Sequence, residues 1–274
     1  MTDPIGLEVR EDGVGVLTLD APPLNLITRA MTMRLLALCD QIAADPRVRS
    51  LVITGAGDRA FCAGADVGEF AQVRDDVVGK KLTRENRAMT AVATLPIPTI
   101  AAINGVCLGG GAELAIACDL RVMDADATVG FPEILLGVFP GSGGVFRLPR
   151  IIGIAGALDL LYSGRQVHAD EALRLGLSSE TAPAGSALKR ALERAAVLAD
   201  RPALALSLIK SGASASFTQT IDDATAASLA DSRRVFTGPD IEEGLAAFFG
   251  KRAPHFTALR TAHVRAIENT QEDA

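Results

Sequence analysis

The sequence predicts an α/β fold, in which a core of repeated strand, turn, strand, turn, helix units is followed by a helical C-terminal region. Three observations carry this. An apolar strand closed by a glycine turn recurs three times in the first half. After about Leu148 the chain turns to Ala- and Leu-rich segments of helical periodicity. The 274 residues, with 49% hydrophobic and 22% charged side chains, are enough to bury a large core.

Each element has a local reason. Residues 14–19 (VGVLTL) alternate as a half-buried strand. A helix is predicted from about Thr28, because Met31, Leu35, Leu38 and Ile42 return at helical spacing. SLVIT-GAGDRAFCAGAD then gives the first unit, whose helix is expected to end near Leu95, where Pro96 and Pro98 forbid its continuation. PTIAAI-NGVCLGGG runs into GAELAIACD as the second unit, and LRVMDADATVGFPE is a less regular third. Only the pattern repeats; the residue identities do not. Helices are predicted over 155–163, 169–175, 186–199, 203–214, 220–235 and 239–249, with a strand at 178–182 (SSETA). The chain is therefore divided into a core of residues 1–200 and a helical region of residues 201–274.

Composition narrows the function. A formal charge of -6 with scattered Lys and Arg argues against a nucleic-acid footprint. Gly, Asn and Glu interrupt every long apolar run, so no membrane span is expected. The N-terminal MTDPIGLEVREDG lacks a secretory pattern, and a cytoplasmic location is expected. Cys39, Cys62, Cys107 and Cys118 lie in apolar stretches without paired spacing, and only three histidines accompany them. They read as small buried hydrophobes, and no metal site is expected.

Two turns have the composition of ligand-facing backbone. Phe61-Cys62-Ala63-Gly64-Ala65-Asp66 offers small residues for close approach and an Asp suited to capping; an ordinary tight turn would use the same residues. Gly109-Gly110-Gly111 opens a helix whose free N–H groups and dipole attract negative charge, with Gly110 N–H as the candidate donor; close helix–strand packing is the other explanation. Glu113 and Glu133 stand as lone charges in apolar segments. Two carboxyls in low-polarity surroundings can hold different protonation states and so suit acid–base work, but spacing does not say whether they meet.

Two further motifs compete. Gly55-Ala56-Gly57-Asp58-Arg59-Ala60 fits a dinucleotide fingerprint, yet FCAGAD stands where the required helix should run. Gly141-Ser142-Gly143-Gly144 resembles a serine site, yet Pro140 replaces the first glycine and neither His168, His255 nor His263 has a marked context; a solvated or phosphate-facing loop is expected there.

In this order and spacing, AFCAGADVGEF, AAINGVCLGGGAELAIACD, GFPEILLGVFPGSGG and GPDIEEGLAAFFGKRAPHF resemble the enoyl-CoA hydratase/isomerase (crotonase) family over nearly the whole chain. The resemblance implies a crotonase-like spiral of ββα units with a C-terminal helical oligomerisation region that builds a homotrimer or a dimer of trimers. It implies an oxyanion hole at the N–H groups of Ala65 and Gly110, acid–base roles for Glu113 and Glu133, and hydration of a 2-trans-enoyl-CoA. It also implies coenzyme A contacts along Leu24, Ala63, Gly64, Ala65, Asp66, Val67, Gly110 and Gly141, with Lys251 in a stretch that reaches a neighbouring subunit. No separate cofactor is implied, since the substrate carries the coenzyme A. The chain departs from the family at Pro22-Pro23-Leu24-Asn25 and at Gly68, where lysines are common, and at Val145-Phe146, where Thr-Gln is common. Arg29, Arg59 and Lys251 are then the candidates for phosphate contact. An isomerase, another enolate-forming member, or a non-catalytic acyl-CoA-binding oligomer remain as alternatives.

Overall fold

A computed structural model describes residues 3–256. The chain opens with an antiparallel hairpin, β1 (Ile5–Val9) and β2 (Val14–Leu19), before the long helix α1 (Arg29–Ala44). Thr28 caps α1 by accepting a hydrogen bond from Met31 N–H at 3.1 Å. The face carrying Met31, Leu35, Leu38 and Ile42 is buried, as its spacing predicts. The strand β1 has only a weak signal in sequence, because IGLEV is five residues long and contains Gly6.

The three repeats are then laid down in turn. β3 (Ser50–Gly55) and β4 (Ala60–Cys62) lead into a broken helical run: α2 (Phe70–Val73), a π-helical turn at Val78–Leu82, then α3 (Thr83–Thr94). Two short 3-10 turns, Val67–Glu69 and Arg74–Asp76, complete that run, where a single helix is predicted from sequence. β5 (Thr99–Ile103) and β6 (Val106–Leu108) lead into α4 (Gly110–Ala117). β7 (Leu120–Asp124) and β8 (Thr128–Gly130) lead into a 3-10 turn at Pro132–Leu136 and then α5 (Gly144–Ser163).

First strands join first strands and second strands join second strands. The larger sheet runs β1-β2-β3-β5-β7 and ends on β10 (Glu180–Ala182); the smaller runs β4-β6-β8 and ends on β9 (Gln166–His168). Within each sheet the repeat strands are parallel, as successive turns of a spiral require. The first unit's GAGDRA turn passes from strand to strand, so the dinucleotide reading has no helix to use. A side chain at Gly55 would place its first carbon 2.2 Å from the Ala60 carbonyl oxygen, so that glycine serves packing.

Two cores form on the two faces of the larger sheet. The main one takes in α1, α3, α4 and the four cysteines, all free and buried. The second closes under α7 (Ala187–Ala199), whose Ala187, Ala191, Ala195 and Ala199 present a flat stripe to Val14, Val52, Ile100 and Val122. Between α5 and α7 lies the short α6 (Ala169–Arg174), and the C-terminal region holds α8 (Ala203–Ala215), α9 (Ile221–Phe236) and α10 (Pro239–Phe249). The prediction at 155–163 caught only the last half of α5. The helix starts eleven residues earlier, runs through Pro149 and bends at Gly153, whose φ of 76° interrupts the periodicity.

Candidate active site

The geometry begins at a single parallel bridge between Ile27 and Ala65. Ile27 N–H donates to Gly64 O at 2.9 Å and Asp66 N–H donates to Ile27 O at 3.0 Å. In such a bridge the residue between the two bonds turns its own N–H away from the partner strand, so Ala65 N–H faces outward. Asp66 then caps the next turn by accepting from Gly68 N–H at 2.9 Å, and Val67 is exposed beyond it. Leu24 is tied to the same turn, since its carbonyl accepts from Ala63 N–H at 2.9 Å.

Asn25 makes that neighbourhood rigid. It is fully buried in the left-handed region, with a φ of 52°. Its amide donates to Ala56 O and Ala60 O at 3.1 and 2.9 Å while its oxygen accepts from Ala21 N–H at 3.1 Å. In the sequence Asn25 stands out only as part of a departure from the family motif.

The three consecutive glycines have three separate reasons. Gly109 takes a φ of 53° as the N-cap of α4. A methyl on Gly110 would stand 3.6 Å from Ala65 N, which brings the two candidate N–H donors side by side. A methyl on Gly111 would lie 2.1 Å from the Cys62 carbonyl oxygen, so there the packing explanation holds. Gly110 N–H is the first of α4 and has no partner within the helix.

Glu113 sits in the first turn of α4 and is 4% exposed. Its Oε1 accepts from Ser142 N–H and Gly144 N–H, each at 2.8 Å. Burial pushes its carboxyl up to about 7 against those two bonds, with the Glu133 charge adding to the rise. The other glutamate arrives through sheet pairing. Leu108 lies opposite Gly130 in the β6–β8 ladder, and Gly109 N–H donates to Gly130 O at 3.0 Å. The 3-10 turn starting at Pro132 therefore hangs Glu133 over the start of α4. Its Oε1 is 3.1 Å from where a Gly109 side chain would begin. Glu133 Oε2 is buried without a hydrogen-bond partner, and burial raises this carboxyl also to about 7.

Ala65, Gly110, Glu113 and Glu133 are thus brought together, with Leu24, Ala63, Gly64, Asp66 and Val67 on the adjoining turn. Gly141 is tied to the group through the next residue, Ser142, whose N–H reaches Glu113, and its carbonyl accepts from Asn86 at 2.8 Å. The loop it begins is not solvated, contrary to the expectation: Ser142 is 3% exposed, because its hydroxyl and N–H are both engaged by buried carboxylates. Lys251 is not brought to this group within one chain. It follows α10, exposed, and the chain continues to Pro254–Phe256 beside Val9–Gly13 at the first hairpin. Arg29 and Arg59 are exposed, and Arg29 is held to Glu69. Among the described residues no cluster of His, Cys, Asp and Glu could hold a metal ion, and no helix is long and apolar enough to cross a membrane.

A spiral of ββα repeats with paired N–H donors beside one buried and one half-buried carboxyl defines a crotonase-type enzyme, and solved structures of that type superimpose on it. An enoyl-CoA hydratase from Bacillus anthracis matches with a TM-score of 0.89 at 34% identity, over 92% of this chain and 98% of that one. The Bacillus subtilis protein YngF, provisionally named an enoyl-CoA hydratase/isomerase, is 34% identical over 253 residues, which are 92% of this chain and 97% of YngF. The fatty acid oxidation complex subunit alpha of Shewanella frigidimarina is 38% identical over 200 residues, 71% of this chain but only 28% of that longer protein. The enoyl-CoA hydratase/isomerase family model matches residues 9–259, and the chain belongs to that family.

Proposed function

We propose that the protein is an enoyl-CoA hydratase, adding water across the 2,3 double bond of a 2-trans-enoyl-CoA. The observation that carries this reading is the presence of two carboxyls, both raised to about 7, beside one pair of free N–H donors. Hydration needs one carboxylate and one carboxylic acid at the same moment, and a pair titrating near neutrality supplies both.

The roles follow from the hydrogen bonds. Two N–H groups favour the charged form of Glu113, whereas Glu133 has an oxygen with no donor and favours the neutral form. Glu113 removes a proton from water as its oxygen bonds to C3. The double-bond electrons move toward C2 and the thioester oxygen, where Ala65 and Gly110 N–H groups receive the growing charge. Glu133 then delivers its proton to C2. Losing one such donor costs about 3–4 kcal/mol in related chemistry, comparable with the contribution of a general acid or base.

The turn Ala63–Val67, with Leu24 and Gly141, provides the surface for the coenzyme A portion, which enters with the substrate. Arg29, Arg59 and a neighbouring subunit's Lys251 are the proposed phosphate contacts. Exposed apolar side chains on the C-terminal helices, among them Ile221, Phe236, Phe248 and Phe249, suit a homotrimer or a dimer of trimers. On this reading residues 1–200 are the catalytic core, 201–274 the assembly region, and the enzyme works in the cytoplasm; residues 257–274 lie outside the described part.

The test is turnover of enoyl-CoA thioesters of graded length and branching in water labelled with oxygen-18. Label at C3 of a 3-hydroxyacyl-CoA is the expected result. Double-bond migration without label would replace hydration by isomerisation, and tight binding without any turnover would make the protein a non-catalytic acyl-CoA binder.

A further inference from the structure

Three polar side chains buried behind Glu113 have no part in the hydration scheme. Lys81 is 4% exposed, Glu85 6% and Ser142 3%. Lys81 lies on the π-helical turn and pairs through Nζ with Glu85 Oε1, one turn further along in α3. Glu85 Oε2 accepts from Ser142 Oγ at 2.8 Å, and Ser142 N–H donates to Glu113 Oε1 at 2.8 Å. A continuous chain of charge and hydrogen bonds therefore runs from Lys81 to Glu113 and ties α3 to α4. Burying an ion pair rarely stabilises a fold more than apolar residues of the same volume would, so its presence here asks for another reason. A π-helical turn inside a helical run often accompanies a functional site.

We propose that Ser142 is a positioning residue for Glu113, clamped by the Lys81–Glu85 pair, so that pair and loop together fix both the aim of the carboxylate and the charge around it. The consequence for turnover rests on the hydration reading; the consequence for Glu113 itself does not. Four charged groups bear on Glu113: Glu133 from the turn after β8, Glu85 from α3 with Lys81 behind it, and Arg147 from α5. The N–H groups of Ser142 and Gly144 favour the ionised form, and Glu85 and Glu133 oppose it.

Two substitutions then act in opposite directions. Ser142→Ala leaves Glu85 Oε2 without its donor and loosens the loop whose N–H groups hold Glu113, so Glu113 gives up its proton at higher pH. Glu85→Gln removes a negative neighbour and leaves the Lys81 charge uncompensated, so Glu113 gives it up at lower pH.

The experiment follows the Glu113 carboxylate by infrared difference spectroscopy across pH, subtracting Glu113→Gln in each background. Midpoint shifts of about half a unit or more are expected, upward for Ser142→Ala and downward for Glu85→Gln. Ser142→Thr, which keeps the hydroxyl, is expected to retain the native midpoint and decides the matter if Glu85→Gln does not fold. Unchanged midpoints, or shifts of one sign in both variants, overturn the proposal. With an accepted enoyl-CoA, Ser142→Ala should lower kcat about tenfold while KM stays within about twofold. If no enoyl-CoA is turned over, hydration fails as the function and the infrared midpoints still judge Ser142.

Discussion

Glu113 is held by a helix, a loop and a buried ion pair, while Glu133 hangs from a five-residue 3-10 turn. Around Glu113 almost every neighbour is buried, and Oε1 has two donors. Around Glu133 the turn exposes Ile134, Leu135 and Leu136, closes on Gly137 in the left-handed region, and leaves Oε2 without a donor. Both carboxyls nevertheless reach about 7. One value arises from strong burial partly offset by hydrogen bonds, the other from moderate burial with little to offset it. The difference shows that a similar proton affinity can come from opposite arrangements; in the proposed hydration scheme it is the arrangement, more than the affinity, that makes Glu113 the base and Glu133 the acid.

The most direct way to break this comparison is to remove each carboxyl. Glu113→Gln and Glu133→Gln should each lower kcat by about 10²–10⁴-fold in the hydration assay. Undiminished turnover in either would end the two-carboxyl scheme. The native pH–rate profile should be a narrow bell near pH 7, since activity rises as one carboxyl of the coupled pair ionises and falls as the second does. A broad plateau from acid to alkaline pH would contradict it.

Next in size are the glycines beneath the pair. Gly111→Ala drives a methyl into the Cys62 carbonyl and should cost about 3 kcal/mol, seen as a lowered Tm. Gly110→Ala meets only ordinary contacts at 3.4 and 3.6 Å, so it should fold normally while losing turnover, because its methyl intrudes between the two N–H donors. Equal loss of stability in both would mean that neither glycine is reserved for substrate.

An effect of similar size, but one that depends on pH, separates the two glutamates by stability. A carboxyl raised from 4.5 to about 7 binds its proton more tightly in the folded state, so stability declines as pH rises between those values. The cost above pH 7 is on the order of 3 kcal/mol for a shift of this size. Glu133→Gln should therefore raise Tm at about pH 8 by roughly 3–6 °C and far less at about pH 5. Glu113→Gln should gain less, because a neutral amide is a weaker acceptor for the Ser142 and Gly144 N–H groups. The smallest effect belongs to a control away from both. Thr28→Ala removes the α1 cap and should cost about 1 kcal/mol, lowering Tm with little change in pH profile.

Much of the fold was legible because its signals are local. Met31, Leu35, Leu38 and Ile42 mark a helix face by spacing alone, and the alternation of VGVLTL marks β2. The elements that escaped are those whose local signal is weak or broken. IGLEV becomes β1 only by pairing with β2, Gln166–His168 becomes β9 only at the edge of the smaller sheet, and Gly153 hides the first half of α5. Gly141-Ser142-Gly143-Gly144 reads from sequence as a solvated or phosphate-facing loop, because glycines and a serine carry no burial signal of their own and the carboxylates that engage Ser142 lie 29 and 57 residues away in the chain. Glu85 and Lys81 drew no notice, since an i, i+4 pair of opposite charge is ordinarily a solvated helix face.

The sequence by itself determined the repeating strand and helix plan, the burial of the cysteines, and the identity of the two turns and two glutamates, because propensity, periodicity and glycine chemistry act over a few residues. Local signals could name Gly110, Glu113, Glu133 and the turn that holds Ala65, but only the family resemblance implied that they meet. Their meeting was decided by the β6–β8 pairing, which carries Glu133 to Gly109, and by the Ile27–Ala65 bridge, which turns the Ala65 N–H outward beside Gly110. The protonation of the pair was likewise a tertiary matter. A carboxyl's proton affinity depends on the water removed from it and the donors aimed at it, and both come from segments far away in the chain.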